Sequence, residues 1–82
     1  MVVMSSSSTP LRQFREELTD PKVSQEDLAR EARVTLQTYR NAESGKNCTY
    51  TTATAILNAL NSERQARGKR PLSLDQLGLS IV

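Results

Sequence analysis

The side chains best equipped to grip a ligand crowd into one short stretch: Gln37, Arg40, Asn41, Ser44, Lys46 and Asn47. A carboxamide sets a donor beside an acceptor, and a guanidinium presents a rigid fork of donors. At helical spacing such groups make a hydrogen-bonding face. Nothing comparable suggests catalysis. There is no histidine, and Cys48 is the single cysteine. No glycine-rich phosphate loop and no cleft-like pair of carboxylates is visible, so the chain is read as a non-enzyme without a cofactor. One cysteine excludes an internal disulfide, and the absence of histidine removes the usual Cys/His zinc ligands, so no metal is expected.

A hydrogen-bonding face needs a helix to carry it, and the start and stop signals for several are present. Thr9-Pro10 opens a first helix, with threonine as N-cap and proline in the first turn, where its missing N–H costs nothing. Leu11, Phe14 and Leu18 supply its apolar stripe, and Asp20-Pro21 is expected to stop it. Ser24 and Asp27 form a capping box for a second helix, whose buried face is Leu28, Ala29 and Ala32. Thr35 caps a third, and Gly45 ends it. Thr49 or Thr51 opens a fourth, with Ala53, Ile56, Leu57 and Leu60 at helical spacing, running as far as Arg67. Ser73 and Gln76 make a second capping box for a short fifth helix that Gly78 closes. No stretch alternates long enough for a confident strand, and the apolar end, Leu79, Ile81 and Val82, reads as a strand or a docking tail. The expected fold class is all-α, a bundle of five short helices over residues 10–82, preceded by a serine-rich flexible tail at residues 1–9.

Helices two and three are separated by only a few residues between Ala32 and Thr35. So short a link sets two helices about 90–120° apart, the geometry of a helix-turn-helix. The series Ser24-Gln25-Glu26, Leu28-Ala29, Ala32, Val34-Thr35, Thr38-Tyr39, Ala42-Glu43, Gly45-Lys46 resembles the Cro/C1-type (XRE-like) helix-turn-helix family of phage and bacterial repressors. The resemblance extends from about Leu11 to Leu77 and implies a lambda-repressor-like bundle that binds double-stranded DNA, with helix three in the major groove. It implies that Leu28, Ala29, Val34, Tyr39 and Ala42 face inward, while Leu36, Gln37, Arg40 and Asn41 read base edges. Gln and Asn suit adenine, Arg suits guanine, and Leu36 suits a thymine methyl. Gln25, Ser44, Lys46 and Asn47 then contact phosphates, and Arg15 pairs with Glu43 to lock the reading helix. A homodimer on two half-sites is implied as well.

Four features depart from the family's pattern. Arg33 stands where the turn usually has glycine, at a position expected to need positive φ. Ala42 replaces a larger apolar residue, leaving room for Tyr39 to fill. The link at residues 19–23 is longer than usual, and residues 61–72 lengthen the approach to the last helix. This second extension carries a basic cluster, Arg64, Arg67, Lys69 and Arg70, read first as a solvated face, with flanking phosphates or a partner surface as alternatives.

Eighty-two residues bound the chain to one domain, and a net charge of +2 neither demands nor forbids nucleic acid. No secretory signal or membrane-length apolar run is present, so a cytoplasmic, bacterial or phage-encoded protein is expected. The leading function is sequence-specific DNA binding by a repressor-like transcription regulator acting through occupancy. The alternative is a protein-interaction module of the same fold, antitoxin-like, using Leu79, Ile81 and Val82 as its partner surface.

Overall fold

A computed structural model of the chain describes residues 9–82. The expected tail therefore lies outside the described residues except for Thr9, which serves as a helix cap. Helix α1 (Pro10–Glu16) begins as its sequence signals require: the Thr9 hydroxyl accepts from the Arg12 N–H at 3.3 Å. It ends at Glu16, ahead of the Asp20-Pro21 stop, and Leu18 is buried from the loop rather than from the helix.

Helices α2 (Gln25–Ala32) and α3 (Leu36–Glu43) follow at once. At the start of α2 the capping box closes in both directions at 3.0 Å: Asp27 N–H donates to Ser24 Oγ, and Ser24 N–H donates to Asp27 Oδ2. Arg33 occupies the left-handed region at φ 63°, as its glycine-like position demands, and ends α2. The Val34 N–H then donates back to the Ala29 carbonyl at 3.0 Å, the 6→1 return of a Schellman motif that fixes the turn. Thr35 restarts the helix by accepting from the Thr38 N–H at 3.0 Å. The small side chains Ala29 and Ala32 face inward with Leu28, so α2 packs closely on both α3 and α4. Tyr39 and Ala42 of α3 are fully buried.

Helix α4 (Tyr50–Ala66) is capped by Thr49 and buries Ala53, Ile56, Ala59 and Leu60. The expected fifth helix is a single 3-10 turn (Leu74–Leu77) resting on α1 and α4. Its brevity explains the form, because one turn between Ser73 and Gly78 satisfies few α-type hydrogen bonds. Among the described residues the architecture is thus four α-helices and one 3-10 turn. No helix there is long and apolar enough to cross a membrane. The chain end is tied down as well: Cys48 N–H donates to the Ser80 carbonyl at 2.8 Å, and Val82 N–H donates to the Cys48 carbonyl at 3.0 Å. This parallel bridge leaves Ile81 and Val82 exposed, while Leu79 packs half-buried against the core.

The basic cluster divides in two. Arg64 is 9% exposed, lies 5.5 Å over the Phe14 ring and donates to the Arg70 carbonyl at 2.8 Å. Arg67 reaches across to the lengthened loop, donating to the carbonyls of Thr19 at 3.0 Å and Pro21 at 2.6 Å. These two arginines hold the fold together, contrary to the solvated face expected of them; only Lys69 and Arg70 are exposed.

Gly78 sits at φ +64° with Pro10 so close that a Cβ would meet Cδ and Cγ at 2.9 Å. Gly68 has a similar φ of +74° but open space around it. Gly68→Ala is expected to cost about 1 kcal/mol from backbone conformation alone. Gly78→Ala is expected to cost clearly more, read as a lower urea midpoint. Equal midpoints would show that the Pro10 contact does not limit this turn.

Candidate nucleic-acid interface

The centre of the site is a buried carboxylate. Glu43 is the last residue of α3, and its side chain is only 3% exposed. Four donors from three elements converge on it. Oε1 accepts from Arg15 Nη2 at 3.2 Å and Gln25 Nε2 at 2.7 Å. Oε2 accepts from Arg15 Nε at 2.9 Å and Tyr39 OH at 2.6 Å. The fork of Arg15 matches the carboxylate plane, the strongest geometry available to such a pair. Its third donor, Nη1, holds the Val23 carbonyl at 3.1 Å, just ahead of α2. The Thr9 hydroxyl donates to the Glu43 carbonyl at 2.7 Å, so both ends of this residue are fixed by α1 or its cap.

Burial alone would push the Glu43 carboxyl up, but hydrogen bonds from Arg15, Tyr39 and Gln25, with the Arg15 charge, hold it below its ordinary 4.5. The Tyr39 phenol is pushed well up, first by burial and then by the carboxylate to which it donates. Glu43 is therefore ionised and Tyr39 protonated throughout the neutral range. The Arg15–Glu43 pair was legible from the resemblance; the Tyr39 and Gln25 contacts were not. The missing signal was local, since Tyr39 and Glu43 stand four apart on one helix and a buried tyrosine hydroxyl needs a partner.

With α3 fixed this way, its outer face carries Gln37 and Arg40 exposed and Asn41 half-exposed. Gln37 Nε2 donates to Asn41 Oδ1 at 3.0 Å, so the two amides form one unit. Leu36 lies partly buried against the core, less outward than the reading face requires. Gln25 is engaged at both ends of its amide. Its Nε2 donates to Glu43 at 2.7 Å, and its Oε1 accepts from Arg40 Nε at 3.4 Å, so the side chain bridges helices. Ser44, Lys46 and Asn47 are exposed past the end of α3, where Gly45 takes φ +96°. The Ser44 hydroxyl donates to the Asn41 carbonyl at 3.0 Å, and Asn47 Oδ1 accepts from Ser80 Oγ at 2.6 Å, which leaves Lys46 the least committed of the three. Among the described residues no cluster of acidic, cysteine or histidine side chains could hold a metal ion.

A family model described as Helix-turn-helix (HTH_3) matches residues 11–66, from the first turn of α1 to the end of α4. The chain belongs to the Cro/C1-type helix-turn-helix family. No curated protein and no solved structure matches it. As a Cro/C1-type protein it is a DNA-binding helix-turn-helix domain of a regulatory rather than an enzymatic family. The match closes before the 3-10 turn, while the bridge from Ile81 returns to Cys48 inside the matched residues.

Glu43→Gln keeps the shape but removes the charge, leaving Arg15 with a half-buried, uncompensated guanidinium. Loss of one partner from such a buried pair costs about 3–5 kcal/mol. Because the folded-state value is depressed, the stability contributed by Glu43 is present above 4.5 and lost as pH falls through the lower folded value. Wild-type stability should thus fall on acidification below 4.5, and Glu43→Gln should lack that part of the decline. Chemical denaturation across pH checks this; parallel pH profiles for the two proteins would remove the carboxylate from the central role given it here.

Proposed function

We propose that this protein is a sequence-specific reader of double-stranded DNA, a repressor-like transcription regulator that sets α3 into the major groove and acts by occupancy. The observation that carries the reading is the paired amide unit on the outer face of a helix whose inner face is locked at Glu43. After giving one N–H to Asn41, Gln37 keeps an acceptor and a second donor, the combination that adenine N6 and N7 require. Asn41, with Oδ1 engaged, keeps its two Nδ2 donors for acceptors such as guanine O6 or thymine O4. Leu36 contributes its outer part to a thymine methyl. Ser44, Lys46 and Asn47 lie where the backbone passes the end of α3 and would fix register there without reading sequence.

One reading helix spans few base pairs, so the protein acts as a homodimer on half-sites about 34–36 Å apart. Tyr50, Ile81 and Val82 are the exposed large apolar side chains among the described residues, at 63%, 39% and 76% exposure. The Cys48–Ile81 bridge brings the chain end to the approach of α4, two residues before Tyr50. This patch supports a protein contact, with a second copy in the leading reading and with a different partner in the antitoxin-like alternative. The setting that goes with the leading reading is the cytoplasm of a bacterium or of a phage-infected cell.

Selection from a random duplex pool, followed by anisotropy titration of the winning and a scrambled duplex, tests the proposal. Wild type is expected to prefer a two-fold symmetric site. Gln37→Ala with Asn41→Ala should retain salt-dependent binding to the scrambled duplex while losing about 1–3 kcal/mol of discrimination for each contact removed. A double variant that keeps the full preference would rule out these amides as readers. Loss of partner capture on mutating Tyr50 and Val82, in a protein that binds no duplex at low salt, would favour the interaction module.

A further inference from the structure

We infer that Arg40 does not read a base but, with Arg12, clamps one phosphodiester of the DNA backbone over the start of α2; this rests on the DNA-binding reading above. Arg40 shares α3 with Gln37 and Asn41, yet its guanidinium turns away from them toward α2, with Nε donating to Gln25 Oε1 at 3.4 Å. Gln25 is itself held by the buried Glu43 at 2.7 Å. The position of Arg40 is thus inherited from the same carboxylate that fixes α3, and Gln25 is the positioning residue between them.

The guanidinium borders a cavity of about 140 Å³ lined by Arg12, Gln25, Arg40, Glu43 and Ser44. A water needs about 10–15 Å³ on such a measure, so the space admits an anionic group together with solvent. The charge in its wall is positive. Glu43 is already spent, with both oxygens saturated and the Arg15 guanidinium beside it. What remains is Arg40 and Arg12, opposed by Glu16, which Arg12 Nε touches at 3.2 Å with both side chains about half exposed, 46% and 53%. Exposed pairs of this kind are weak, so a phosphate can displace Glu16 from Arg12. The third side of the cavity is Gln25, the first residue of α2, whose N–H has no intrahelical acceptor; Glu26 and Asp27 of the same turn lie outside the lining. Two guanidinium forks and a helix start, around one cavity, make a phosphate seat. Free inorganic phosphate shares this chemistry, but two arginines from different helices beside a reading face fit a backbone group delivered with the duplex.

The test compares Arg40→Ala, Arg12→Ala and Arg40→Lys with wild type in the full chain, after circular dichroism has confirmed that each folds. Binding to random-sequence duplex is titrated at several salt concentrations, and base preference is read from pool selection. Each alanine variant is expected to reduce the slope of log affinity against log salt by about 0.9 for each bound protomer. It should weaken binding to all sequences alike, leaving the selected site unchanged, and Arg40→Lys should recover most of the slope. A flattened preference at one guanine with the salt slope intact would overturn the inference and return Arg40 to base reading. Should wild type fail to bind any duplex, the DNA reading fails first. Inorganic phosphate then separates the cases: Nε–H shifts at Arg12 and Arg40 during its titration would place a free anion in the seat, and unmoved resonances would dispose of the seat as well.

Discussion

Nearly every feature that gives α3 its position passes through the Glu43 carboxylate. It is a costly group to bury, and burial is tolerated because four donors meet its two oxygens and an arginine balances its charge. Those donors come from α1, from the first residue of α2 and from α3 itself. A hydrophobic contact in the same place would fill space but tolerate sliding. A forked hydrogen-bonded pair does not, because displacement leaves a buried charge without a partner. On the proposed reading, in which the outer face of α3 meets base edges, that stiffness is what the pair supplies.

Much of this arrangement was legible in the sequence because its causes are local. Caps at Thr9, Ser24, Thr35 and Thr49 depend on a hydroxyl and an N–H two or three residues on, and each is found in place. Arg33 had to take positive φ because so short a link leaves no other path between α2 and α3. The parts that were not legible depend on atoms far apart in the chain. Arg67 and the carbonyls of Thr19 and Pro21 are separated by more than forty positions, and a charged residue in a basic run carries no local mark that its guanidinium will turn inward. The same holds for Arg64 over Phe14. Together they explain how two departures from the family's pattern coexist: the long approach to the last turn supplies the side chain that ties down the long loop after α1.

The site was legible by residue type more than by role. Gln37 and Asn41 stand on the outer face as expected, yet as a coupled pair rather than two separate amides. The side chain of Gln25, expected at a phosphate, links a buried acid to Arg40. A glutamine can serve either end of that choice, and only the arrival of Glu43 from α3 decides it. Leu36 likewise has a side chain that suits an outer face or a core, and the close approach of α2 draws it partly inward.

The most direct test of the central claim is an amide-resolved nuclear magnetic resonance titration of the protein with a short duplex at low salt. The expected result is that side-chain amide signals of Gln37 and Asn41, together with backbone signals at the start of α2 and from Gly45 to Asn47, move as one surface, while Tyr39 and the core of α4 do not. Shifts confined to Tyr50, Ile81 and Val82, with α3 silent, would contradict a locked reading helix at the DNA interface.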